Sequence, residues 1–121
     1  MKILVVDDEP LVRRSLQKVF QKAGHDVVVA EDGIQGVALW KESQPEAVIL
    51  DVLMPGHTGP EVISEVQPSS DIPIVLISAY SGEYNPDSVK QLGADLFIAK
   101  PFDNIQEIVT SVEKLVETKK N

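Results

Sequence analysis

The sequence predicts an α/β domain: a doubly wound sheet of five parallel strands with helices on both faces. Three observations point there. Strand-like and helix-like segments alternate five times along the 121 residues. Residues 2–6 (KILVV) and 73–77 (PIVLI) are apolar almost throughout, the pattern of strands covered on both faces. The segments between strands carry apolar residues at helical spacing, so helical crossovers join parallel strands.

Taken in order, the first strand, residues 2–6, runs straight into Asp7, Asp8 and Glu9. Asp7 or Asp8 can cap the helix that Pro10 opens, but one acid is enough for a cap. That helix places Leu11, Val12, Leu16, Val19, Phe20 and Ala23 on one face, and Gly24 ends it. Residues 26–30 form a weaker strand, hence an edge. Residues 31–33 turn into a second helix carrying Ile34, Val37, Ala38 and Trp40 and ending near Gln44-Pro45, with Trp40 placed inward or over a half-covered face. The third strand, residues 47–50, runs into Asp51. Thr58 or Gly59 caps a helix of about two turns with Pro60 first, Val62, Ile63 and Val66 inward, and Pro68 beyond it. The fourth strand, residues 73–77, ends at Ser78. After a polar loop, residues 80–85, Asn85 caps a helix beginning at Pro86 and Gly93 follows its end. The fifth strand, residues 95–99, ends at Lys100-Pro101. Asp103 caps the last helix, whose inner face is Ile105, Ile108, Val109, Val112, Leu115 and Val116.

Composition narrows the function. A chain of 121 residues with 43% hydrophobic residues is expected to form one domain, residues 1–121, with a sizeable core, and no output domain is expected within it. Its 19 acids against 11 Lys and Arg give a net charge of −8, which disfavours nucleic acid or an anionic membrane as direct partner. There is no cysteine, so thiolate metal sites and a Cys nucleophile are excluded. The apolar start is too short for a signal peptide and no run reaches membrane-spanning length, so a cytoplasmic location is expected.

In a parallel sheet the functional groups gather at the carboxyl ends of the strands, beside the point where strand order reverses. Those ends supply Asp7 and Asp8, Asp51, Ser78 and Lys100. Three carboxylates at one rim repel one another unless a cation or a proton sits among them, and an all-oxygen set suits Mg²⁺. A carboxylate can also serve as a nucleophile towards phosphorus, while a lysine and a hydroxyl across the site would cradle a phosphoryl group. No Gly-rich phosphate loop follows the first strand, and nothing suits hydride or acyl transfer.

LVVDDEP, VILDVLMPG, VLISA and FIAKPF, in this order and across essentially the whole chain, resemble the signature of response-regulator receiver domains of two-component signalling. The resemblance implies a flavodoxin-like sheet of strand order 2-1-3-4-5 with five helices. It implies Asp51 as phosphoacceptor, Asp8 and Asp7 as Mg²⁺ ligands together with Asp51 and the Leu53 carbonyl, and Lys100 and Ser78 as the groups that meet the phosphoryl group. Ser78 and Phe97 take the places of the switch residues, and the Lys100-Pro101 bond is expected to be cis. The implied partners are a sensor histidine kinase or histidine phosphotransfer protein, and a downstream protein or output domain on the face of the fourth helix, fifth strand and fifth helix. The chain would be a monomer, or a dimer once phosphorylated, and would catalyse only its own phosphorylation and slow dephosphorylation. A phosphohydrolase of the haloacid-dehalogenase type is the competing enzyme reading. It needs a second acid two residues after its nucleophile, where this chain has Leu53. A phosphorylation-independent scaffold would lack an acid or the lysine, and none is missing. His25 and His57 have no assigned role.

Overall fold

Five strands, β1 (Lys2–Val6), β2 (Asp26–Ala30), β3 (Ala47–Asp51), β4 (Ile74–Ser78) and β5 (Leu96–Ala99), alternate with five helices in the computed structural model, which describes residues 1–79 and 86–120. All strand pairings are parallel, as the alternating pattern predicts, and the order is β2-β1-β3-β4-β5, as the resemblance implies. β1, β3 and β4 are inner strands, and their residues Ile3 to Val6, Val48 to Leu50 and Val75 to Ile77 have no exposed surface. β2 is an edge, as its weaker apolar pattern implies.

Alternation along each strand builds two cores. Ile3, Val5, Ile49, Val75 and Ile77 point to the face covered by α1 (Pro10–Lys22) and α5 (Ile105–Lys120), through Leu16, Phe20, Ile108, Val109, Val112 and Val116. Leu4, Val6, Val48, Leu50 and Leu76 point to the other face, covered by α2 (Gly33–Ser43), α3 (Gly59–Val66) and α4 (Pro86–Gln91). Trp40 belongs to this second core and is 5% exposed, so it packs inward. It stands at the amino end of the strands, where it lines a groove with Gln44, Pro45, Pro68 and Ile72.

The ends of the elements refine the sequence reading. Neither Asp7 nor Asp8 caps α1; its N-cap is Glu9, whose side chain makes no capping hydrogen bond. Gly24 (φ +94°) and Gly93 (φ +90°) hold the left-handed residue after α1 and α4, letting His25 N–H reach Phe20 O and Ala94 N–H reach Val89 O. Thr58 is the cap of α3, in a reciprocal capping box with Glu61. The expected cap at Asp103 is corrected by one residue: Asn104 Oδ1 accepts from Gln106 N–H at 3.0 Å. Asn85 lies outside the described residues. Pro73 stays outside β4 because it has no N–H for the ladder, though its carbonyl accepts from Val48 N–H. Asp95 precedes β5 and accepts Ile74 N–H through its side chain instead. Four residues expected on inner helix faces are exposed: Leu11 (76%), Ile34 (65%), Ala23 and Ala38. At about 3.6 residues per turn Leu11 falls well round α1 from Leu16 and Phe20, and Ile34 and Ala38 fall well round α2 from Gly33, Gly36, Val37 and Trp40, while Ala23 is the C-cap of α1.

Candidate functional site

The register of the sheet brings the chemistry together. Val6 pairs with Leu50 across β1 and β3, so the next residues, Asp7 and Asp51, stand side by side. One strand further, Ser78 pairs with Ala99 across β4 and β5, which puts Lys100 at the same rim. Backbone bonds fix each position: Asp7 N–H donates to Ala30 O (3.1 Å), Val52 N–H to Ile77 O (2.9 Å) and Lys100 N–H to Ser78 O (2.8 Å). The Lys100-Pro101 peptide is cis.

Burial makes the cluster unusual. Asp7 has no exposed surface, Asp51 is 3% exposed and Ser78 1%, while Asp8 lies nearer solvent. The acids converge on one ammonium: Lys100 Nζ lies 2.7 Å from Glu9 Oε1, 2.9 Å from Asp7 Oδ2 and 3.3 Å from Asp51 Oδ2. Asp7 Oδ1 accepts from Glu9 N–H at 2.8 Å, and Arg13 donates to the Asp7 carbonyl at 2.8 Å, bracing the acidic corner from behind. Asp7 Oδ2 keeps its ion pair with Lys100, but the alignment leaves it without a hydrogen bond. Glu9, Asp51, Lys100 and Ser78 line a cleft of about 350 Å³ with Asp8, Ala79 and Leu53, whose side chain is 58% exposed at the mouth.

The electrostatics follow from one cation among several acids. Burial, and then the charge of Asp7, push the Asp51 carboxyl up to about 7, against the pull of Lys100. Burial likewise raises Asp7, outweighing the Glu9 N–H bond and Lys100. Burial alone would lower Lys100, but its bonds to Glu9 and Asp7 and the nearby charges of Asp7 and Asp51 raise it. Such a site is short of positive charge.

Asp7, Asp8 and Asp51 each offer an oxygen, and these oxygens all lie within 4.8 Å of one another, so the group can hold a metal ion. The carboxylate donors and the unbonded Asp7 Oδ2 fit a hard divalent cation.

Sequence reading placed Asp7, Asp8, Asp51, Ser78, Lys100 and Leu53 at one rim, and the structure brings all six there. Phe97 stands apart, on β5, partly buried against the core under α3 and α4. Sequence reading gave no part to Glu9 or Arg13. The only signal for Glu9 was a third acid beyond what a cap or a cation needs, and for Arg13 there was none. Of the two histidines, His25 pairs with Glu113 (2.8 Å) and His57 with Glu65 (3.0 Å), both away from the cleft.

Residues 3–113 match the response regulator receiver domain family. A probable transcriptional regulator, ycf27, of Porphyridium aerugineum is 36% identical over 119 residues; the match covers 93% of this chain and 50% of that relative. The chain thus spans about half the length of that relative. The receiver domain of Francisella response regulator 1452 superposes with a TM-score of 0.86 at 25% identity, covering 97% of each chain. NtrX of Brucella abortus, in complex with ATP, gives a TM-score of 0.87 at 30% identity, covering 98% of this chain and 27% of that one. A strand order of 2-1-3-4-5, three acids around one lysine at the carboxyl rim, and a family match over nearly the whole length have one meaning together: this chain belongs to the response regulator receiver domain family of two-component systems.

Proposed function

We propose that the domain is a phosphorylation switch that takes a phosphoryl group onto Asp51 from a histidine kinase or histidine phosphotransfer protein, and changes partner binding as a result. The observation that carries this reading is a buried carboxylate, Asp51, set between two further acids and an ammonium 3.3 Å away. The ionised Asp51 oxygen attacks phosphorus. An O–P bond forms as the donor's N–P bond breaks, and the electron pair leaves on the donor imidazole nitrogen, which a proton can then neutralise. Mg²⁺ held by Asp7, Asp8, Asp51 and the Leu53 carbonyl would supply positive charge against the phosphoryl oxygens. Lys100 offsets charge on a phosphoryl oxygen, and the Ser78 hydroxyl donates to another.

The Ser78 hydroxyl also links chemistry to output. Drawn towards the phosphoryl group, it moves the backbone beyond β4, and Phe97 on the neighbouring strand turns further inward. That reshapes the face of α4, β5 and α5, where a downstream protein or output domain would dock. The domain acts on itself alone, with no separate substrate to turn over. A cytoplasmic place suits these partners, and among the described residues no helix is long and apolar enough to cross a membrane.

Acetyl phosphate with Mg²⁺ tests the reading. Intact-mass spectra are expected to show one added phosphoryl group, labile to hydroxylamine, on the parent and none on Asp51→Asn. An equal adduct on the variant would remove Asp51 from its role.

A further inference from the structure

We propose that Glu9 is a latch on Lys100: it holds the ammonium in the resting site and so sets how readily Asp51 accepts and keeps a phosphoryl group. The inference rests on the phosphoacceptor reading of Asp51 and adds a residue to it.

Glu9 is the acid that the rest of the site does not use. It stands outside the Asp7, Asp8 and Asp51 oxygens that converge within 4.8 Å. It occupies the N-cap of α1 without a capping bond from its side chain. Instead its N–H is anchored on Asp7 Oδ1, and its carboxylate reaches across the cleft to Lys100 at 2.7 Å, the shortest of that lysine's three acidic contacts.

A lysine ammonium has three N–H donors. Glu9 and Asp51 accept two of them and the ion pair with Asp7 lies close by, so the ammonium is held among three acids and turns to a phosphoryl oxygen most directly when one of them lets go. Asp7 is fully buried and held by its backbone, and Asp51 is the acceptor itself. Glu9, with its side chain 55% exposed, is the partner that can swing into water. Its release therefore accompanies the transfer described above, in which the donor's bond to phosphorus breaks with its electron pair as the Asp51 O–P bond forms. Weakening the latch leaves Lys100 free to meet the phosphoryl group.

Two variants separate this from simple repulsion of anionic donors by a charge at the mouth. Glu9→Gln removes the charge and keeps the reach; Glu9→Asp keeps the charge and withdraws the reach. The latch predicts that both accelerate phosphorylation by acetyl phosphate and tighten beryllofluoride binding about two- to fivefold, the range for breaking a part-exposed ion pair. Repulsion predicts that only Glu9→Gln does so, and that result overturns the latch, as does no change or a slower rate in both. A metal-free measurement stands independently: proton exchange of the Lys100 ammonium, followed by nitrogen-detected NMR, should quicken in both variants. Unchanged exchange in both overturns the proposal. A parent that accepts no phosphoryl group refutes the phosphoacceptor reading instead, while the exchange experiment still decides whether Glu9 holds Lys100.

Discussion

Leu53 is an apolar side chain in a place where most of its neighbours are charged. It is 58% exposed at the mouth of the cleft, two residues past Asp51, and it offers nothing that could orient a water molecule towards phosphorus. Hydrolysis of an acyl phosphate needs a water held in line, so the phosphorylated domain is expected to lose its group slowly. Leu53→Asn supplies an amide at that mouth and should quicken the loss, followed as decay of the phosphorylated mass; an unchanged or slower decay would contradict shielding. Tyr80, two residues past Ser78, lies outside the described residues. At this scale the sequence was legible wherever a polar residue ended an apolar strand, which is how Asp7, Asp51, Ser78 and Lys100 stand out. It was not legible where a long side chain crosses between elements. Glu9 and Lys100 are 91 positions apart, and their contact depends on the placing of β1 beside β3 and β5 beside β4. No local pattern encodes that.

Helices and strands were readable as elements because each kept one period throughout; their ends and edges were less so. The last helix illustrates the limit. Asp103 and Asn104 are adjacent, and both are good caps, so composition cannot choose between them. The helix begins at Ile105, and Asn104 just before it is the one whose Oδ1 accepts from Gln106 N–H. Asn104→Ala should cost about 1 kcal/mol in urea unfolding, whereas Asp103→Ala should cost little. Equal losses would mean that the two residues share the role. Leu11 shows the other limit. At about 3.6 residues per turn Leu11 falls well round the helix from Leu16 and Phe20, and it lies in an apolar groove with Phe102 and Ile105 rather than in the core. An apolar residue in an amphipathic helix is not thereby on its buried face; the angle around the axis decides, and here it points Leu11 elsewhere.

For the whole molecule, the acidic rim is a site that the metal-free fold tolerates rather than favours. Asp51 titrates at about 7 when folded and near 3.8 when unfolded. Between those values the unfolded chain has released its proton while the folded protein keeps it, so stability falls as pH rises, by at most about 1.4 kcal/mol per unit. Asp7, raised by the same burial, adds the same sign. Lys100, raised above 10.5, contributes stability throughout this window and loses it only in alkali. Urea unfolding of the metal-free protein should therefore show a decline from about pH 4 to about pH 7 that is shallower in Asp51→Asn. Saturating Mg²⁺ should abolish the difference, since a bound cation favours the ionised carboxylate. A difference independent of pH would contradict the shift.

The two ends of the sheet thus differ, with the acidic cleft at the carboxyl rim and Trp40 at the other. The chain has one tryptophan, and its ring is packed into the core at the end of the sheet opposite the acidic cleft. Its emission is a gauge of folding that the cleft barely disturbs. Loss of the native fold should redden and dim it, while a cation or phosphoryl group arriving at Asp51 leaves its colour nearly untouched. Anyone following this domain by its own light will see whether it is folded, and will need a second label, placed near Leu53, to see whether it has been switched on.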